Sequence, residues 1–140
     1  MSIRELFLVA SGGAVGSAVR YAVSGAAQRL FASGVGSGAG SIASFPAGTL
    51  VVNVTGSLLI GLVAGLAESR ALLSAEARLL LVTGVLGGYT TFSAFSLETL
   101  LLLRAGQTTT ALTSVALQVL LGVAAAFAGF TVGMVAGRAA

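Results

Sequence analysis

Thr49, Asn53 and Ser57 stand at a spacing of four inside a long uncharged run, and Ser114 and Gln118 repeat that spacing near the end of the chain. On a helix each set lies close to one face. Between them in sequence, "GGYTTFSAFSLE" at 87–98 puts a Gly pair, hydroxyl residues, two phenylalanines and a glutamate into an otherwise apolar region. None of these groups except Glu98 ionises readily, so the chemistry on offer is the solvation of a ligand by neutral donors and carbonyls. Asn53 carries the strongest such signal. A Ser or Thr hydroxyl in an apolar helix is easily satisfied by the carbonyl one turn back, whereas a carboxamide brings two donors and an acceptor that one carbonyl cannot answer. For Gln118 an ordinary interhelical hydrogen bond fits as well as contact with a ligand.

The elements that position these residues follow from composition. The 140-residue chain is 56% hydrophobic, with seven arginines, four glutamates and no Lys, Asp, His, Cys or Trp, and its mean hydropathy is +1.05. Long uncharged runs of this kind indicate an all-α integral membrane protein. Without Cys or His there are no disulfides, no imidazole acid-base chemistry and none of the usual transition-metal ligands. No nucleophile-base pair is recognisable, which excludes the common enzyme classes. The arginines are scattered with no basic patch, which speaks against a nucleic-acid partner. The start, "MSIRELFLVASGGAVGSAVRY", has Glu5 in its basic end and an arginine where cleavage would occur, unlike a cleavable signal peptide.

A helical span needs about 20 residues, and the charged positions divide the chain into a single four-helix membrane domain, 1–140, with spans at about 6–28, 47–67, 78–103 and 109–136. A Gly/Ser-rich loop, "ASGVGSGAGSIASFP", follows the first span; "ESRALLSAEAR" and "RAGQTTT" are the other polar connections. With the N-terminus inside, Arg4, Arg70, Arg78 and Arg138 oppose Arg29 and Arg104, with Arg20 able to snorkel outward. That is a weak bias under the positive-inside rule. Such a chain can insert both ways up, which permits an antiparallel dual-topology homodimer in the cell membrane. Glycines at a spacing of four (Gly12/Gly16, Gly61/Gly65, Gly84/Gly88, Gly129/Gly133/Gly137) suit close helix approach, either within one subunit or between two.

The third span has an internal weakness. Gly87-Gly88 followed by Tyr89-Thr90-Thr91 is a poor helix interior, so a break is expected near Gly87–Thr91. Broken helices at membrane depth are tolerated where freed backbone groups are buried in protein or face a wet cavity, and there their carbonyls can hold a cation. Phe92 and Phe95 follow on nearly one face, interleaved with Ser93 and Ser96. A ring turned edge-on presents positive potential to an anion without a full charge.

"GGAVGSAVRY" at 12–21, "GTLVVNVTGSLLIG" at 48–61 and "GGYTTFSAFSLE" at 87–98 together resemble the three signatures of the CrcB/Fluc family of fluoride channels, in order and on the corresponding spans. The resemblance implies an antiparallel homodimer with two narrow fluoride pathways, passive fluoride efflux and a structural sodium ion at the dimer centre. It makes Asn53 a pore-lining amide, Phe92 and Phe95 the rings along the path, and Ser93 and Thr91 nearby hydroxyls, with Thr49 on the same track. It assigns sodium to the backbone carbonyls of Gly87 and Thr90, and places Arg20 and Glu98 at a vestibule or in a structural role. On the fourth span, where the family has a track of Tyr and Ser type, Ser114, Gln118 and Gly122 take its place. Two rivals remain: a small proton-coupled multidrug exporter, which needs a membrane-embedded acid and has only Glu98, and a non-conducting assembly protein built on the glycine faces.

Overall fold

The computed structural model describes residues 2–34, 45–70 and 74–139. Most of the Gly/Ser-rich loop and residues 71–73 of the second connection lie outside the described residues. Within them the chain is all helical, and four stretches are long and apolar enough to cross a membrane: Ile3–Ser33, Ala47–Ser69, Ala75–Arg104 and Thr108–Ala139. The elements are α1 (Ile3–Gly34), α2 (Ala47–Arg70), α3 (Ala75–Arg78), a π-helical stretch Leu79–Leu86, α4 (Gly87–Tyr89), α5 (Phe92–Arg104) and α6 (Thr108–Ala139). The segments from α3 to α5 make up the third span.

Each boundary has a local cause. Pro46, which cannot donate, immediately precedes α2, and its carbonyl accepts from Leu50 N at 3.1 Å. Ser74 caps α3 by accepting from Ala77 N. The turn into α6 is a Schellman closure: Gly106 takes φ 74°, its N–H reaches Leu103 O at 3.0 Å, and Gln107 N reaches Leu102 O at 2.9 Å.

The third span breaks at Thr90 (φ −79°, ψ 159°) and Thr91 (φ −151°, ψ 115°). The break thus occupies the C-terminal edge of the expected region, and Gly87, Gly88 and Tyr89 stay helical. Gly88 is there for closeness: a Cβ on it would lie 2.5 Å from the Gly13 carbonyl oxygen of α1. The π-helical stretch, which no sequence signal announced, packs against the same face of α1. A Cβ on Gly12 would lie 2.6 Å from Leu80 O, and one on Gly16 would lie 2.8 Å from Tyr89 N.

The other tight seam joins α2 to α6. Added Cβ atoms on Gly65 and Gly129 would lie 2.9 Å from Met134 N and Leu62 N, and those on Gly61 and Gly133 would meet backbone of the facing helix. The spaced glycines therefore serve packing inside one subunit. Large apolar side chains point outward, among them Phe7, Leu120 and Phe127, while Thr49, Thr91, Ser114 and Gln118 are buried. Greasy outside and partly polar within is the distribution a lipid solvent selects.

Candidate functional site

The extended Thr91 points its N–H and C=O toward α2, and a single carboxamide answers both. Thr91 N donates to Asn53 Oδ1 at 2.9 Å, and Asn53 Nδ2 donates to Thr91 O at 3.1 Å. The second Nδ2 hydrogen goes to Gln118 Oε1 on α6 at 2.7 Å. Asn53 thus ties α2, the break and α6 together, with both donors engaged.

Two neutral groups left unpaired among the described residues lie on α6. Gln118 Nε2 and Ser114 Oγ are buried and have no hydrogen-bond partner among the described residues, Ser114 being fully buried and Gln118 9% exposed. Leaving a buried donor unmade costs about 1–3 kcal/mol, so both groups are buried polar atoms that the described residues do not satisfy. Because Gln118 Oε1 is held by Asn53, its Nε2 is turned away from that bond. A track of neutral donors therefore runs from Asn53 across to α6.

The break also frees backbone carbonyls. In an unbroken helix Thr91 N–H would bond Gly87 O, and Ala94 N–H would bond Thr90 O. Here Thr91 N turns to Asn53 and Ala94 N to Thr91 Oγ1 at 3.2 Å, capping α5. Gly87 is exposed. The Thr90 hydroxyl bonds back to Leu86 O at 3.0 Å, so the oxygen Thr90 has left to offer is its carbonyl. Gly87, Thr90, Asn53, Ser57 and Phe92 line one concavity of about 280 Å³. Among the described residues no His/Cys/Asp/Glu cluster suits a metal ion; the oxygens this concavity has to offer are backbone carbonyl, hydroxyl and amide oxygens.

Phe92 and Phe95 lie with ring centroids 5.5 Å apart and planes at 52°, and Phe92 is 79% exposed on the single chain. Ser93 Oγ sits 3.3 Å from Thr91 Oγ1. Ser96 bonds back to Phe92 O at 2.9 Å, which accounts for its hydroxyl within its own helix. One turn before Asn53, Thr49 Oγ1 donates to Glu98 Oε1 at 2.6 Å, while Glu98 Oε2 is buried and unpaired. Arg20, Glu98 and Thr49 border a second concavity of about 700 Å³, together with Ser17 and Gln28. Among the described residues, the charged side chains lining these concavities are Arg20 and Glu98, both in the larger one; the lining of the smaller one is neutral.

Gln28 is a residue no motif singles out. Its amide donates to Phe45 O at 3.0 Å and accepts from Gly48 N at 3.1 Å, seating the start of α2 and thus the Thr49–Asn53 track. An amide in the last turns of an apolar helix is the one available signal.

Residues 7–130 match the family model described as "CrcB-like protein, Camphor Resistance (CrcB)". The chain is 45% identical over 127 residues to the "Fluoride-specific ion channel FluC" of Nitrobacter winogradskyi, covering 91% of this chain and 93% of the relative. It is 46% identical over 127 residues to the protein of the same name from Rhizobium meliloti, covering 91% and 94%. Against that of Hyphomonas neptunium it is 49% identical over 123 residues, covering 87% and 89%.

Proposed function

The chain belongs to the CrcB family, and from that premise we propose that this multi-pass membrane protein is a fluoride-selective channel that lets cytoplasmic fluoride leave the cell passively. The observation that carries the reading is the pair of buried, unpaired neutral groups, Ser114 Oγ and Gln118 Nε2, beside Asn53. Fluoride holds its water tightly, and an unpaired ion in low dielectric costs tens of kcal/mol in the idealised limit. Donors must replace that water, yet each must hold weakly enough to let go. Hydroxyls, amides and the ring edges of Phe92 and Phe95 meet both demands, and a fixed arginine at the same depth would not. Asn53 joins the path by exchange: its bond to Gln118 Oε1 breaks as the anion takes that hydrogen, while its pair with Thr91 holds.

The working unit is an antiparallel dual-topology homodimer with two such paths. Support comes from Phe92, a ring 79% exposed on one chain that a second copy would cover, and from the carbonyls of the break. Gly87 and Thr90 have lost their helical donors to side chains, so the break bares two carbonyl oxygens per subunit, whereas a hard cation takes several ligands. Two copies meeting at the break would double the set and hold a structural sodium ion, whose charge would favour anions nearby. Arg20 and Glu98 belong to the mouth, where water and ions exchange.

The test is fluoride efflux from liposomes containing the purified protein, with chloride as control. Fluoride flux should exceed chloride flux by orders of magnitude and fall in Phe92→Ile and Asn53→Ala. Equal flux of the two anions sinks the proposal. A proton-driven flux of organic cations that disappears in Glu98→Gln would install the exporter reading instead.

A further inference from the structure

We infer that Asn53 and Thr91 are positioning residues that hold the break open. This inference rests on the sodium reading above. Four N–H groups, those of Thr91, Phe92, Ser93 and Ala94, lose their helical acceptors when a helix stops at Thr90. The first and last are taken by side-chain oxygens: Thr91 N by Asn53 Oδ1 at 2.9 Å and Ala94 N by Thr91 Oγ1 at 3.2 Å. Their former acceptors would be the carbonyls of Gly87 and Thr90. Without the two side-chain oxygens, the least costly way to satisfy those N–H groups at membrane depth is to return them to these carbonyls and mend the helix. The donors and the carbonyls thus compete, and Asn53 and Thr91 decide the competition from outside the helix. Asn53 is well suited because the extended Thr91 turns both its backbone groups one way, and the carboxamide closes on both. Gln118 Oε1 fixes the remaining hydrogen and so the plane of the amide.

The role differs from bulk packing in what it controls. Removing either oxygen should weaken cation affinity more than it weakens the fold. Thermal unfolding of the purified full chain in detergent is followed as sodium chloride replaces N-methyl-D-glucamine chloride at constant ionic strength. In Asn53→Leu and Thr91→Val, which keep size and remove the acceptor, the sodium midpoint should rise about tenfold or more, as for loss of a group that orients a metal ligand. Thr91→Ser keeps the oxygen and should restore the midpoint to within about twofold of the unaltered chain, the variation expected of a retained contact. Thr90→Val, which removes the hydroxyl bonded back to Leu86 and keeps the γ-methyl that packs against Gly56, should leave the midpoint where it is.

An unaltered chain whose stability ignores sodium overturns the sodium reading itself. A chain that responds, with Asn53→Leu or Thr91→Val responding identically, overturns this inference alone. A measurement on the unaltered chain covers the case of variants that do not fold: the Thr91 and Ala94 amides should exchange with solvent at least about tenfold more slowly than amides at frayed helix ends. Unprotected exchange at either one overturns the proposal.

Discussion

The two halves of α2 pack in opposite ways. From Leu58 to Leu66 it presses its backbone against α6, with Gly61 and Gly65 facing Ala126, Phe130 and Met134, and Gly129 and Gly133 returning the contact. From Thr49 to Ser57 it meets its neighbours through side chains, and buried polar atoms stay unpaired nearby. Gly122 marks the change. A Cβ there would find only Ser57 Oγ, at an ordinary 3.6 Å. Glycine contact closes a seam completely; polar side chains hold one ajar. One half packs the helix pair tightly, and the other, on the proposed reading, keeps a route for a small polar guest at some cost in stability.

Four substitutions probe that contrast, in falling order of effect. Gly65→Leu drives a side chain into the α6 backbone, beyond the usual ~1–3 kcal/mol of overpacking, and should leave no monodisperse protein on size-exclusion chromatography. Gly129→Ala places one methyl against Leu62 N and should cost about 2 kcal/mol of stability, read by thermal unfolding in detergent. Gln118→Leu acts on the other half and should separate the two properties. It deletes the unpaired Nε2 but also the Oε1 that accepts from Asn53, exchanging one unmade buried bond for another, so thermal stability should change by less than ~1 kcal/mol, while fluoride flux should fall about tenfold, equivalent to ~1.4 kcal/mol. A Gln118→Leu protein that loses stability with flux unchanged would make the polar half mere packing. Gly122→Ala should change stability by less than ~0.5 kcal/mol, the range of substitutions that touch little.

Much of this was legible before any coordinates. Charge spacing marked four spans, and among the described residues four helical stretches are long and apolar enough to cross a membrane. The first runs on to Gly34, past Arg29, whose exposed side chain needs no helix end. The break was legible and falls within the expected range, at its C-terminal edge, Thr90 and Thr91; its cause was not legible. Gly87 and Gly88 looked like its cause, being poor helix formers. Gly88 instead serves the contact with Gly13, and the helix stops at two β-branched threonines. A glycine chosen for flexibility and one chosen for closeness look alike in a sequence. The spaced glycines were equally ambiguous, suiting a contact within a subunit or between two, and all but Gly137 meet the backbone of another helix of their own chain.

By itself the sequence determined the solvent of this protein, its helical class and the neutrality of its chemistry. Uncharged run length and residue type are enough for that, because a bilayer tests every segment separately. It also placed Thr49, Asn53 and Ser57 on one face, since periodicity is a property of a single helix. Only the tertiary structure decided which polar atoms answer one another and which stay unpaired among the described residues. Asn53 meets partners 38 and 65 residues away in sequence, and a hydrogen bond forms or fails within a few tenths of an ångström. Whether an amide is free to meet an ion therefore depends on how three helices cross, which no one helix can encode.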